Sequence, residues 1–260
     1  MAIALITDFG LTDGYVGTMK GVIASIAPQV LVIDLSHHIP PHDLAAGRFC
    51  LLNAAPYFPP ETIFVGVVDP GVGTSREAIA VQFAGGYFVG PNNGLGSSLF
   101  EKYPVITAVI LDNPHYWRSP QSEAISSTFH GRDIFAPVAA HLALGVPMDA
   151  LGSPLERESI VSLNVPTYQR LGKTYHGIVQ HIDHFGNLIT NIPGTVCPNM
   201  QGHMTLAGQM IPLVQTYGDV AIACPCALVG SHGWLEISLN QGHAQEFFQV
   251  QRGAIVHYNP

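Results

Sequence analysis

The N-terminal part of the chain alternates between short apolar runs and stretches with helical periodicity, and this alternation constrains the fold most. The apolar runs, which predict buried strands, cover residues 2–7, 30–35 and 62–68. A helix is predicted between each pair of runs, and Thr12 or Asp13 is the expected N-cap of the first. The face of that first helix is apolar at Val16, Met19, Ile23 and Ile26. Strands alternating with helices predict a parallel sheet with right-handed crossovers.

The rest of the first half extends this sheet. Residues 78–83 and 87–89 are predicted strands joined by a Gly-Gly turn. A further strand is predicted at residues 105–111 and a helix at residues 134–144, whereas residues 116–127 are polar and predicted to be irregular.

The pattern changes after about Leu155, where helical periodicity fades and short strands with Gly and Pro turns replace it. These strands are predicted at residues 175–182, 188–192, 204–206, 235–239 and 254–258. The predicted fold class is therefore α/β. A mostly parallel sheet flanked by helices is expected in residues 1–160, and a smaller all-β domain, sandwich or barrel, in residues 170–260.

Composition limits the partners. Only 11% of the residues are charged, against about 25% in a typical soluble domain, so part of the surface is expected to be covered in a homo-oligomer. The net charge of −8 argues against nucleic acid as a partner, because phosphate binding requires a basic face. No apolar run is long enough for a bilayer, and no signal peptide is evident, so no membrane association and a cytoplasmic location are expected. The four cysteines are expected to be reduced.

Asp69 and Arg76 bracket a Pro- and Gly-containing turn that follows the third apolar run. A carboxylate at the exit of a buried strand lies where α/β sheets usually bind their ligands. Gly71 and Gly73 permit a sharp turn, across which Arg76 can hold the Asp69 carboxylate oriented. A strand end with a purely structural salt bridge is the alternative interpretation.

Two further residues are candidates in the first half. Asp8 closes the first strand, where a carboxylate either accepts hydrogen bonds from ribose hydroxyls or caps its own turn. His130 stands beside Gly131 at a predicted helix N-terminus, which suits a neutral imidazole that handles a water proton, although a lone loop histidine is more often solvated. The sequence contains no P-loop and no G-x-G-x-x-G motif, so a ligand without phosphate is favoured.

In the second half, Asp183, Phe185 and Asn187 join two strands and offer a carboxylate, an aromatic face and an amide, or form an ordinary hairpin with an Asx turn. Ser231 and Glu236 surround a glycine turn near the end of the chain. The thirteen histidines invite a metal hypothesis, but no H-E-x-x-H or facial-triad pattern accompanies them. The two clusters that raise this hypothesis are His37, His38 and His42, and His181 and His184.

Together these segments resemble one family, the S-adenosyl-L-methionine (SAM) hydrolases, or hydroxide adenosyltransferases, which are related to the fluorinases and chlorinases. The resemblance covers nearly the whole chain, and the combination is far more specific than any one motif. The motifs, in order, are T-D-F-G at 7–10, V-D-P-G-V-G-T-x-R at 68–76, P-N-N-G at 91–94, F-H-G-R-D at 129–133, I-D-x-F-G-N at 182–187 and G-S-x-G-x-L-E-I at 230–237.

The resemblance implies an N-terminal α/β domain, a C-terminal barrel-like domain, and a homotrimer with substrate bound between neighbouring subunits. It implies the reaction of SAM with water to give adenosine and L-methionine, with no cofactor and no metal. The family's hydrolytic triad maps onto Asp69, Arg76 and His130. Because the halide-using relatives carry other residues at the Asp and His positions, the presence of all three favours water over halide.

The resemblance also implies substrate-binding roles. Asp8 would hold the ribose hydroxyls, and Phe129 would stack on adenine. Ligand contacts from the C-terminal domain would come from Asp183, Phe185 and Asn187, and, near the methionine or adenine end, from Ser231 and Glu236.

Two other functions compete with this interpretation. One is a metal-dependent hydrolase of a nucleoside or phosphoester that uses the histidine clusters. The other is a non-catalytic protein that binds adenosine or SAM, in which the triad serves only for binding.

Overall fold

The structure is a computed structural model that describes residues 1–118 and 125–260. The described chain divides into two compact units, residues 1–164 and residues 165–260. Part of the segment predicted to be irregular, residues 119–124, lies outside the described residues. In the part of the chain that is described, no helix is both long enough and apolar enough to cross a membrane.

Residues 1–164 contain a six-stranded sheet with the order β2-β1-β3-β5-β4-β6. Strands β2, β1, β3 and β5 are parallel neighbours, and β4 runs antiparallel to both β5 and β6. The sheet is therefore mostly parallel, which confirms the predicted fold class. Its strands are β1 (Ala2–Thr7), β2 (Leu31–Ser36), β3 (Thr62–Val67), β4 (Ala78–Phe83), β5 (Gly86–Pro91) and β6 (Val105–Ile110).

Helices cover both faces of this sheet. They are α1 (Tyr15–Ile26), α2 (Leu44–Ala54), α3 (Ser97–Lys102) and α4 (Ala136–Ala143). The predicted N-cap of α1 is wrong: Gly14 occupies that position, and no side chain caps the helix. The predicted start of α4 is also wrong, because a π-helical turn, Gly131–Phe135, precedes the α-helix. Short 3-10 turns lie at Ala55–Tyr57, Pro114–Tyr116, Met148–Ala150 and Arg157–Ser159.

Alternate side chains of the central strands pack into two different cores, one on each face of the sheet. Ile3 and Leu5 of β1 pack into a core with α1 and α4, whereas Ala4 and Ile6 pack into a core with α2. All four are fully buried. Strands buried on both faces are the pattern expected of a parallel sheet covered by helices. Because β1 and β3 are parallel neighbours, the residues that follow them emerge at the same edge of the sheet.

Residues 165–260 form an antiparallel sheet with the order β11-β10-β14-β8-β9-β13-β12, to which β7 adds beside β8. The sheet is nearly closed into a barrel, which confirms the predicted barrel-like domain. An isolated bridge between Leu213 and Ala227 joins its two ends. The strands are β7 (Gln169–Leu171), β8 (Thr174–Ile182), β9 (Leu188–Pro193), β10 (His203–Leu206), β11 (Gln209–Pro212), β12 (Pro225–Val229), β13 (Trp234–Leu239) and β14 (Ile255–Asn259).

The barrel encloses its own apolar core, to which Val179, Leu188, Met204 and Leu235 contribute. Strands β7, β11 and β12 were not predicted from the sequence, and neither was the short helix α5 (Ala244–Phe248). Further 3-10 turns lie at Gly194–Val196 and Tyr217–Asp219.

Candidate active site

Asp69 follows β3 and is held by Arg76. Arg76 Nε donates to Asp69 Oδ1 at 2.9 Å and to Oδ2 at 3.1 Å, and its Nη2 also donates to Oδ2. The Asp69 side chain is only 5% exposed, and the Arg76 side chain is 10% exposed. The Arg76 guanidinium also lies over the ring of Phe135, 5.4 Å from the ring centre. The pairing expected from the spacing is present, and it engages both oxygens of the carboxylate.

The turn between Asp69 and Arg76 depends on Gly73. Its φ of +76° lies in the left-handed region, and a Cβ built there would stand 2.3 Å from the carbonyl oxygen of Ser127. Only glycine therefore combines this backbone conformation with so close an approach. The close approach brings the Asp69 turn against the segment that leads into His130.

His130 contacts the same guanidinium. Its Nδ1 lies 3.0 Å from Arg76 Nη2. A guanidinium has only donors, so Nδ1 must accept through its lone pair, and the neutral imidazole then carries its hydrogen on Nε2. Burial and the Arg76 charge lower the pKa of His130, outweighing the charges of Asp69 and Asp133 that raise it. Geometry and electrostatics thus agree on a neutral imidazole with a fixed tautomer.

A cavity of about 270 Å³ lies against these groups. Asp8, Asp69, Phe129 and His130 all contribute to its lining. This volume is slightly below the usual range of small-molecule pockets, which begins at about 300 Å³. Four of the residues predicted from the sequence therefore line one cavity, and Arg76 stands behind two of them.

Asp8 and Phe129 occupy defined positions in this cavity. Asp8 Oδ2 accepts a hydrogen bond from the backbone N–H of His42 at 2.9 Å, so it binds a neighbouring loop. Phe129 packs edge-on against Phe9 and Tyr15, with ring centres 5.7 and 5.3 Å away. Phe9 belongs to the T-D-F-G motif and His42 to a histidine cluster, but no sequence signal indicated that either of them would line the cavity.

In residues 165–260, Asp183 organises the loop between β8 and β9. Its Oδ1 accepts from the backbone N–H groups of Phe185 and Asn187, and its Oδ2 from the Asn187 side chain, each at 2.9 Å. This is the Asx turn of the alternative interpretation. The ring of Phe185 is left 70% exposed. The loop is thus ordered by its own hydrogen bonds and presents an aromatic face to a potential ligand.

Glu236 on β13 is 3% exposed and is surrounded by donors. The Tyr217 hydroxyl donates to its Oε1 at 2.8 Å and the Ser238 hydroxyl at 2.7 Å, while His232 Nε2 contacts Oε2 at 3.0 Å. Burial alone would raise the pKa of Glu236, but these hydrogen bonds outweigh it and lower the pKa. Ser231 is exposed on the preceding turn.

The surroundings of Tyr217 raise the pKa of its phenol. Burial raises the pKa of the Tyr217 phenol, and the hydrogen bond and charge of Glu236 and the charge of Asp183 raise it further. The sequence did not single out Tyr217 or Ser238, because their partnership with Glu236 arises from the fold. Within residues 1–118 and 125–260, no three His, Cys, Asp or Glu side chains are grouped so that they could hold a metal ion.

The fold and the site together define a class of two-domain proteins with an acid, a guanidinium and an imidazole at the carboxyl edge of a parallel sheet. Comparison with known families shows which family within that class the chain belongs to. Residues 3–152 match the SAM hydroxide adenosyltransferase N-terminal domain, and residues 177–257 match the corresponding C-terminal domain. The chain therefore belongs to the SAM hydroxide adenosyltransferase family, which confirms the resemblance seen in the motifs.

Individual relatives agree with this membership. An (R)-S-adenosyl-L-methionine hydrolase from Thermus thermophilus is 38% identical, over 95% of both chains. A fluorinase from an Actinoplanes species is 28% identical, over 98% of this chain and 96% of the relative. Among solved structures, an uncharacterised conserved protein from Thermotoga maritima superposes with a TM-score of 0.91 at 33% identity, covering 99% of this chain and 100% of the other.

Proposed function

We propose that this protein is an enzyme that hydrolyses SAM to adenosine and L-methionine, with water attacking the ribose 5′ carbon. The observation that carries the proposal is the contact of Asp69, Arg76 and His130 beside one cavity. Relatives named (R)-S-adenosyl-L-methionine hydrolase, at 36–40% identity, support the substrate class.

The chemistry of the substrate explains why these groups suffice. As the bond from the water oxygen to the 5′ carbon forms, the carbon–sulfur bond breaks and its electron pair stays on sulfur. Methionine then leaves as a neutral thioether, so no general acid is required. The site must only orient one water, stabilise the developing hydroxide character, and receive one proton.

The fixed tautomer of His130 divides these tasks. With Nδ1 accepting from Arg76, the imidazole offers only Nε2–H to a ligand, so His130 orients the water by donating to its oxygen. Asp69 retains a lone pair beyond those that Arg76 uses, and it lines the cavity. Asp69 is therefore the group that accepts the water proton, while the Arg76 charge stabilises the negative charge on the oxygen.

Binding is proposed for the other predicted residues. Asp8 holds the ribose hydroxyls, and Phe129 lies where its ring can contact the nucleoside, since both line the cavity. The exposed ring of Phe185, with the Asp183–Asn187 turn beneath it, supports a ligand contact in residues 165–260. Ser231 is exposed and suits a similar contact, whereas the buried carboxylate of Glu236, with protein donors on both oxygens, favours a role in holding Tyr217 and His232.

A cytoplasmic homotrimer with sites at subunit interfaces, without cofactor or metal, completes the proposal. The low content of charged residues and exposed apolar side chains such as Tyr57 and Ile106 support association. Light scattering coupled to size exclusion should give three times the mass of one 27.8 kDa chain. A monomeric mass would contradict both the trimer and the interfacial position of the sites, whereas the reaction itself is tested by turnover.

The central experiment uses SAM in chloride-free buffer made with H₂¹⁸O. Adenosine and methionine should form in equal amounts, with ¹⁸O in the 5′-hydroxyl of adenosine. Turnover that requires a halide would contradict the proposal. Loss of activity with a chelator would favour the metal-dependent hydrolase, and tight binding without product would favour the non-catalytic binding protein.

A further inference from the structure

A buried polar network lies directly behind Asp8. Thr7 and His37, which are 0% and 3% exposed, contact each other through Thr7 Oγ1 and His37 Nδ1 at 2.9 Å. On the other side of the ring, His37 Nε2 lies 3.0 Å from Asp34 Oδ1, though it is not aligned as a hydrogen bond. Asp34 Oδ2 in turn pairs with Lys20 Nζ at 2.6 Å. The network runs from the surface of α1 to the end of β1.

The order hydroxyl, imidazole, carboxylate is that of a nucleophilic triad, but its burial rules out that role. Thr7 is fully buried and does not contribute to the lining of the cavity beside Asp8. Its Oγ1 also accepts a hydrogen bond from the backbone N–H of Phe9 at 3.2 Å. A substrate therefore cannot reach this hydroxyl, and the network acts on the backbone instead.

The backbone that it holds is the turn that carries Asp8. The His37 carbonyl accepts from the N–H of Gly10 at 2.7 Å, and Thr7 Oγ1 holds the N–H of Phe9. The residues on both sides of Asp8 are thus bound to His37 or to its partner Thr7. Further along the same loop, the N–H of His42 binds Asp8 Oδ2 directly.

We infer that His37 is a positioning residue that aims the Asp8 carboxylate into the cavity, and so sets the affinity for the ribose of a nucleoside. This inference rests on the proposed function, because it requires that Asp8 bind the ligand. It assigns a role to His37 in place of the metal hypothesis that its cluster raised. Since Asp69, Arg76 and His130 form their contacts without His37, the proton-handling groups should be unaffected by its loss.

The test compares His37→Asn with His38→Ala. Asn is short and cannot span from Thr7 to Asp34, whereas His38 is adjacent in sequence but exposed, which makes it a matched control. His37→Asn should weaken adenosine binding in titration calorimetry by about tenfold. A misplaced Asp8 carboxylate would lose a hydrogen bond to the ribose, and losing a hydrogen bond to a charged group has an effect of this size. KM for SAM should rise similarly, while kcat changes less than about threefold. His38→Ala should leave all three within about twofold.

A double-mutant cycle separates positioning from general destabilisation. In an Asp8→Ala background, His37→Asn should cause no further loss of adenosine affinity, because its effect acts through Asp8. An equal further loss in that background would overturn the inference. If His37→Asn does not fold, Asp34→Asn at the outer end of the network should weaken adenosine binding in the same direction by a smaller factor, and unchanged affinity would overturn the inference.

The outcomes also distinguish this inference from the proposed function. A wild-type protein that neither binds adenosine nor hydrolyses SAM would remove the proposed function, and with it the premise. A wild-type protein that binds adenosine, with His37→Asn binding equally well, would contradict only the role of His37.

Discussion

The two units each contain a carboxylate grouped with an imidazole, but the two groups differ in their spare hydrogen-bonding capacity. In residues 165–260, His232 Nδ1 accepts from the backbone N–H of Trp234. The imidazole hydrogen is therefore on Nε2, which donates to Glu236. Tyr217 and Ser238 take the other oxygen of Glu236. This carboxylate is buried, and protein donors engage both of its oxygens.

In residues 1–164, Arg76 stands between the two groups. It donates to Asp69 and to His130 Nδ1, which leaves an Asp69 lone pair and His130 Nε2–H for a ligand in the cavity. The side chains are of the same kinds, but the His232 N–H donates to its own carboxylate, whereas the His130 N–H is left for a ligand. Residue types alone therefore do not mark a candidate catalytic site, whereas unused hydrogen-bonding capacity beside a cavity supports one.

Asp69→Asn gives the largest expected effect, because it removes the proposed proton acceptor while keeping the shape of the side chain. The kcat for SAM hydrolysis should fall by about 10²–10⁴-fold, the usual contribution of a general base. Adenosine affinity, measured by calorimetry, should change far less. The exposed Asp149→Asn serves as the control. Wild-type turnover by Asp69→Asn would place the proton acceptor elsewhere.

Arg76→Lys should have the next largest effect, since it breaks the bridge that distinguishes this site from the Glu236 group. An ammonium cannot reproduce the fork that engages both Asp69 oxygens and His130 Nδ1. A loss of about 10²-fold in kcat is expected, as for removal of one transition-state donor. The exposed Arg157→Lys should behave like wild type in the same assay. Equal activity of the two variants would show that charge without geometry suffices.

The difference between the two groups was only partly predictable from the sequence. The spacing of Asp69 and Arg76 across a glycine turn predicted their pairing, and the pairing is present. The contact between Arg76 and His130 spans 54 residues, and it depends on the approach of Gly73 to Ser127. No local pattern encodes such an approach, so the motifs suggested the grouping only through the family resemblance.

Element prediction shows the same limit. The strands of the six-stranded sheet were predicted within a residue or two, because each is a mostly apolar run bounded by turn residues. In the barrel, β7, β11 and β12 have only three, four and five residues and alternate weakly, so they carry little signal of their own. The π-helical turn after His130 was missed because five residues are too few to show a periodicity distinct from that of an α-helix.

The pH dependence of activity tests the fixed tautomer of His130. Protonation of Nδ1 would break its hydrogen bond from Arg76, so kcat/KM should fall as pH drops through the pKa of His130. Because burial and Arg76 lower that pKa below its ordinary 6.5, the acid limb should lie below pH 6.5, with about a tenfold loss per pH unit beneath it. His130→Asn, which does not titrate but can still accept from Arg76, should lose this limb.

The same shift has a consequence for stability. A histidine with a lowered pKa binds its proton more weakly in the folded state than in the unfolded state. The unfolded chain therefore takes up more protons below pH 6.5, and stability falls as pH decreases through this range. Urea unfolding at pH 5 and pH 8 should show a smaller pH-dependent loss for His130→Asn than for wild type. In the activity profile, an acid limb of kcat/KM centred above pH 6.5 would contradict a neutral imidazole at His130.

Glu236→Gln should have the smallest effect on turnover and should act mainly on stability. The amide offers one oxygen where the carboxylate offered two. Its NH₂ therefore faces either the His232 N–H or the two hydroxyls of Tyr217 and Ser238. Leaving a buried donor without its acceptor costs about 1–3 kcal/mol, which urea unfolding can measure. The exposed Glu246→Gln controls for the loss of one charge. If stability is instead unchanged and KM for SAM rises, Glu236 contacts the substrate directly. The Glu236 carboxylate would then be available to a ligand, as Asp69 is, despite its hydrogen bonds within the protein.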